Sequence, residues 1–159
     1  MPIQTGQSIP SAALHVMGDE GPKKINSDDV FKGKKVVLFA VPGAFTPGCT
    51  VTHLPGYVVN ADKIKAKGVD TIACVAVNDA FVMDAWGKSQ NADEILMLAD
   101  GNGEFTKAVD LEMDAAGFGM GTRSQRYAMI VDDGKVVHLA VEDGPGVDVS
   151  AAEKVLEAL

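Results

Sequence analysis

Two cysteines, three histidines and two arginines are the side chains of this 159-residue chain best suited to covalent or proton-transfer chemistry. Cys49 is the one whose surroundings are most telling. It follows the apolar run Val36–Val41, the break Pro42-Gly43, and the turn-rich Thr46-Pro47-Gly48. An apolar run of that length suits a buried strand, and helix-compatible sequence begins near Cys49. A cysteine at a strand–loop–helix junction meets unpaired backbone N–H groups and the positive end of a helix dipole. Such a setting favours thiolate, the reactive form of cysteine. The chemistry implied is nucleophilic attack by sulfur.

Other cysteine chemistries do not fit the spacing. A thioredoxin-type dithiol needs a second cysteine three positions away, and Thr46 and Thr52 stand there. A phosphatase-type Cys-x5-Arg loop needs Arg where Pro55 stands. No protease signature surrounds His15, His53 or His138, and the Cys and His positions lack zinc-ligand spacing. No metal or organic cofactor is expected.

The elements that must place Cys49 follow from pattern and punctuation. Ala13–Met17 and Lys24–Asn26 read as short strands paired across the turn at Asp19–Pro22. Ser27 is expected to cap a short helical turn through Phe31. After the Val36–Val41 strand, residues Cys49–Lys67 read as a helix interrupted at Pro55-Gly56. Val69–Val77 is a second buried strand, giving a parallel right-handed crossover. Asn78 or Asp79 caps a helix bearing Phe81 and Trp86, and Ile95–Ala99 is a further strand. A helical turn follows near Glu104–Val109, and residues 114–122 read as a glycine-rich loop. Tyr127–Val131 and Val136–Val141 form a hairpin about Asp133-Gly134. Ser150 with Glu153 reads as a capping box opening the last helix. A βαβ half followed by a ββα half describes an α/β, thioredoxin-like fold: a central mixed sheet flanked by helices, with an N-terminal extension. Residues 1–159 are expected to form one domain.

Composition narrows the function. A net charge of −8 without a sizeable basic cluster argues against nucleic acid. No apolar run has the length of a membrane span. The opening MPIQTGQSIP lacks the basic and apolar regions of a signal peptide, so the expected location is cytoplasmic.

The segment PGAFTPGCT resembles the active-site motif of peroxiredoxins. The stretches VLFAVPGAFTPGCTVTHLPGY, VNDAFVMDAWG and RYAMIVDDGKV resemble, more narrowly, the type-5 or type-II subfamily, and the similarity spans nearly the whole chain. The bottom-up chemistry agrees with that family. Thiolate attack on a peroxide moves charge across a breaking O–O bond and needs donors along both oxygens. The Thr46 hydroxyl and the Cys49 backbone N–H can supply two. A guanidinium would favour the thiolate and hold the substrate. Arg123 and Arg126 are the only arginines. The resemblance assigns the catalytic role to Arg126, immediately before the Tyr127 strand, and leaves Arg123 to bond the active-site loop. Pro42 would shield the thiolate. Gly48 and His53 are supporting candidates. Phe45 and Phe118 are candidate walls of an apolar substrate pocket.

The expected activity is reduction of hydrogen peroxide and alkyl hydroperoxides through a Cys49 sulfenic acid, in antioxidant defence. Alternatives are a monothiol thiol–disulfide oxidoreductase and a redox-sensing binding module. The resemblance implies a homodimer with its interface near the active-site loops. Some type-5 relatives carry a resolving cysteine before the final helix, but GPGVDVSAAE contains none. Cys74 lies inside an apolar strand and is expected to be an inert core group, although type-II relatives carry two cysteines at this spacing. An external thiol, from glutaredoxin with glutathione or from thioredoxin, is therefore expected to regenerate Cys49.

Overall fold

The computed structural model describes residues 1–159. In chain order its elements are β1 (Ala13–Gly18), β2 (Gly21–Asn26), α1 (Ser27–Phe31) and β3 (Lys35–Ala40). A π-helical segment, Cys49–His53, leads into α2 (Leu54–Ala66). There follow β4 (Thr71–Ala76), α3 (Ala80–Ser89), β5 (Ile95–Ala99), α4 (Glu104–Ala108) and β6 (Glu112–Asp114). A 3₁₀ turn at Ala116–Phe118 precedes β7 (Thr122–Ser124), β8 (Tyr127–Asp132), β9 (Lys135–Val141) and α5 (Ala152–Ala158).

Seven strands form one mixed sheet in the order β2-β1-β5-β4-β3-β8-β9. β3 pairs parallel with β4 and antiparallel with β8, so the strand leading to Cys49 is central. Alternation along β3 divides the core. Val37 and Phe39 face the layer containing Leu54, Tyr57, Trp86 and Val155, from α2, α3 and α5. Val36, Leu38 and Ala40 face the opposite layer, with Phe31 and Phe105 from α1 and α4. Cys49 and Cys74 both belong to the first layer. The thioredoxin-like α/β class expected from the sequence is the observed one.

Four local details differ from the sequence reading. Asn26, not Ser27, caps α1: its side chain accepts from Asp28 N–H, while Asp29 reaches back to Asn26 N–H. The Cys49–Lys67 helix changes character at His53/Leu54, one residue before Pro55, rather than at Pro55-Gly56. Pro55 has no N–H to donate, so the turn before it loses a regular bond, and Leu54 N–H reaches Cys49 O in the wider register. The 114–122 loop contains a 3₁₀ turn and ends within a small antiparallel pair, β6 with β7. The expected Ser150–Glu153 capping box is absent: Ala151 is the cap residue of α5 and offers no side-chain bond. The Ser150 hydroxyl donates instead to Glu142 Oε2 at 2.6 Å.

Candidate active site

The loop after β3 is built to turn Thr46 toward Cys49. Ala44 N–H donates to Asn78 Oδ1 at 2.9 Å, tying the loop to the end of β4. Phe45 adopts φ +65°, a left-handed conformation unusual for a bulky residue. It stands 54% exposed, while Thr46 beside it is half-buried. A Cβ on Gly43 would sit 3.1 Å from Thr46 Cγ2 and from Met120 Cε, and 3.3 Å from Arg123 Nη1. Glycine there lets the 42–46 loop close against the loop before β7. Thr50 N–H then reaches Thr46 O at 2.9 Å, opening the helical turn that carries Cys49.

Cys49 is completely buried, and two donors converge on its sulfur. The Thr46 hydroxyl lies 2.9 Å from Sγ, and Arg126 Nη2 lies 3.2 Å away. Thr46 Oγ1 is also 2.6 Å from the Gly43 carbonyl. A hydroxyl has one proton, so it donates to one of these acceptors at a time. Arg126, only 9% exposed at the entrance to β8, has no carboxylate within ion-pair distance. Its Nη1 lies 2.9 Å from His53 Nδ1. His53 Nε2 lies 3.0 Å from the Ser150 carbonyl, which can only accept. The ring is therefore the Nε2–H tautomer, with Nδ1 free to accept from Arg126. Burial, and then the Arg126 charge, lower the His53 pKa to about 4, which keeps that ring neutral.

The remaining sequence candidates lie around this cluster. Arg123 Nε donates to Met120 O at 2.9 Å, and its Nη1 makes a long 3.5 Å contact with Pro42 O, bridging the two loops without reaching the sulfur. Gly48 packs beneath the guanidinium: a Cβ there would stand 3.2 Å from Arg126 Nη2. Phe118, at 87% exposure, stands with Phe45 on the surface, so neither is an enclosed pocket wall in this chain. Three surface cavities lie away from this cluster, beside Met17 and Met97, beside His138 and Lys154, and beside Asn102 and Lys107. Cys74 is fully buried in mid-strand opposite Phe39, and burial with the neighbouring Cys49 pushes its thiol well up. The chain reading missed Tyr57, Glu142 and Ser150. Tyr57 Oη donates to Ser150 O at 2.7 Å, and its ring stacks on Phe39 at 3.9 Å. Nothing in the sequence near Glu142 marks it as part of the site.

Residues 4–156 match the Redoxin family model. Peroxiredoxin-2D of Arabidopsis thaliana is 42% identical over 160 residues, which cover 99% of each chain. The chain belongs to the peroxiredoxin family. This peroxiredoxin also matches Peroxiredoxin-2E, chloroplastic, of the same plant at 45% identity, over 99% of this chain and 69% of that one. Among solved structures, reduced Prx3 in complex with H2O2 from Vibrio vulnificus superposes with a TM-score of 0.95 at 61% identity, covering 98% of both chains. Peroxiredoxin 5 from Alvinella pompejana gives 0.88 at 40% identity, covering 99% of this chain and 97% of that one. Family membership makes this peroxiredoxin a thiol-dependent peroxidase. No helix is long and apolar enough to cross a membrane.

Proposed function

We propose that Cys49 is the peroxidatic nucleophile, reducing hydrogen peroxide and alkyl hydroperoxides with Arg126 and Thr46 as its donors and Pro42 as part of its shield. One observation carries the reading. Arg126 is a buried cation with no carboxylate partner, and the Cys49 sulfur stands 3.2 Å from it. An unpaired buried charge is costly, so the guanidinium is set to offset negative charge on the attacking sulfur and on the oxygen it meets. The thiolate attacks one peroxide oxygen, forming the S–O bond as the O–O bond breaks. Alkoxide or hydroxide leaves and takes up a proton. Arg126 and Thr46, both within hydrogen-bond distance of the sulfur, would stabilise charge as it passes to the leaving oxygen. The products are Cys49 sulfenic acid and an alcohol or water.

A fully buried sulfur favours a small hydroperoxide group over a bulky disulfide, which sets the reading apart from a disulfide oxidoreductase. Regeneration is by an external thiol, glutaredoxin with glutathione or thioredoxin. That thiol condenses with the sulfenic acid, releases water, and leaves a mixed disulfide for a second thiol to cleave. The first turn about Cys49 must open for this step. The proposed assembly is a homodimer with its interface at the active-site loops, where exposed Phe45 and Phe118 would be covered. The cytoplasm is the proposed compartment, since two cysteines do not make a disulfide scaffold. Residues 1–159 are proposed to work as one domain, because both core layers share one sheet. Steady-state peroxide consumption with glutaredoxin–glutathione and thioredoxin systems in parallel tests the reading. Turnover with at least one is expected; turnover with neither would remove the proposed regeneration.

A further inference from the structure

Arg126 lies in a closed circuit of hydrogen bonds that all run in one sense. Its Nη1–H donates to His53 Nδ1 at 2.9 Å. His53 Nε2–H donates to the Ser150 carbonyl at 3.0 Å. Ser150 N–H and Oγ–H both donate to Glu142 Oε2, at 2.8 and 2.6 Å. Glu142 N–H donates to the carbonyl of Arg126 itself, at 3.0 Å. Two further bonds brace the circuit: Tyr57 Oη–H on Ser150 O at 2.7 Å, and Asp148 N–H on Glu142 Oε2 at 2.7 Å. His53, Ser150 and Arg126 are buried, where such bonds polarise one another and a missing partner is costly.

The circuit bears on the reacting sulfur because a guanidinium is a rigid fork. Fixing the Nη1–H direction fixes that of Nη2–H, which points at Cys49 Sγ. The Nη1 acceptor is a ring whose own orientation depends on the Ser150 carbonyl. That carbonyl belongs to a stretch without regular structure between β9 and α5, and the Glu142 carboxylate gathers it by three donated bonds. We propose that Glu142 is a positioning residue for peroxide attack, acting through Ser150 and His53 to hold the Arg126 guanidinium against Cys49. This rests on Cys49 being the peroxidatic nucleophile.

A double-mutant cycle tests it. The first-turnover rate of reduced protein with hydrogen peroxide is followed by Trp86 fluorescence, in the wild type, Glu142→Ala, Arg126→Ala and the double variant. Coupled residues are non-additive, so Glu142→Ala should slow attack about tenfold with Arg126 present and less than about twofold without it. Equal slowing in both backgrounds, or none in either, would overturn the proposal. Glu142→Gln, which keeps the shape and one acceptor oxygen, should fall between wild type and Glu142→Ala. A loss in Glu142→Gln as large as in Glu142→Ala, without coupling to Arg126, would also count against it. Ring-nitrogen NMR of His53 supplies a readout that needs no reaction. The wild type should show the Nε2–H tautomer alone, and Glu142→Ala a mixture. An unchanged tautomer would contradict the proposal. If the wild type failed to react with peroxide, the nucleophile reading would fall, while the His53 spectrum would still decide the circuit.

Discussion

Burial holds the His53 ring neutral, and this makes the fold sensitive to acid. Its pKa is lowered from 6.5 to about 4, first by desolvation and then by Arg126. Above pH 6.5 the ring is neutral in both folded and unfolded chains and contributes no slope. As pH falls from 6.5 toward 4, the unfolded chain takes up a proton that the folded one refuses. Stability should then drop by about 3 kcal/mol over that window. Glu142 has the opposite charge type but acts in the same direction: bonds from Ser150 and Asp148 lower its pKa, so its stabilisation fades as pH falls through the acidic range. Denaturant unfolding against pH checks the His53 effect, and His53→Gln should flatten the slope between pH 6.5 and 4. An equally steep slope in that variant would rule out His53 as its source. At Arg126, substitution by Ala removes a donor to the sulfur and should slow peroxide attack about 10²- to 10³-fold, measured by stopped flow. An unchanged rate would show that attack does not depend on the Arg126 guanidinium. Chemistry alone pointed in the sequence to Cys49, Thr46 and an arginine, the choice of Arg126 over Arg123 came from the family resemblance, and the structure sets Thr46 and Arg126 beside the Cys49 sulfur. The ring from His53 to Glu142 was not, since its members are joined only by folding.

At the scale of elements, Gly48 tests how closely the helical turn must approach Arg126. Its φ of −62° and ψ of −37° are ordinary helical values, so alanine meets no backbone obstacle. The added Cβ would nevertheless stand 3.2 Å from Arg126 Nη2. Gly48→Ala should therefore leave thermal stability nearly unchanged while slowing attack roughly tenfold, since small misplacements of catalytic groups are expensive. Attack at the wild-type rate would mean that the guanidinium moves freely. The last helix offers a complementary change. Ala151 caps α5 in an extended conformation with no side-chain bond. Ala151→Ser should supply one and raise stability by about 1 kcal/mol, read as a shift in the unfolding midpoint. The sequence indicated every large strand and helix, because their apolar runs and turn residues agree. It misplaced the local cap at α5 because Ser150 has a second acceptor, Glu142, that is distant in sequence. The π-helical turn was equally hidden: Pro55 announces an interruption but not the register adopted before it.

In the molecule as a whole, one sulfur sits between two donors and the other packs the sheet. Cys74 lies in mid-strand, fully buried, with its thiol pushed up by burial. Cys74→Ser should keep most of the wild-type peroxide turnover with an external thiol, and loss of turnover in that variant would require a second redox role. A central sheet flanked by helices was readable from the sequence, but the division of β3 between two core layers was not, because Val36–Val41 is apolar throughout. The meeting of the loops at Gly43, Met120 and Arg123 depends on side-chain packing that no local pattern encodes. The most direct measurement is intact-protein mass spectrometry after one equivalent of hydrogen peroxide, with dimedone present to trap sulfenic acid. The wild type and Cys74→Ser should each gain a single dimedone adduct at Cys49, and Cys49→Ser should gain none. A dominant Cys49–Cys74 disulfide in the wild type, or an adduct in Cys49→Ser, would contradict the account.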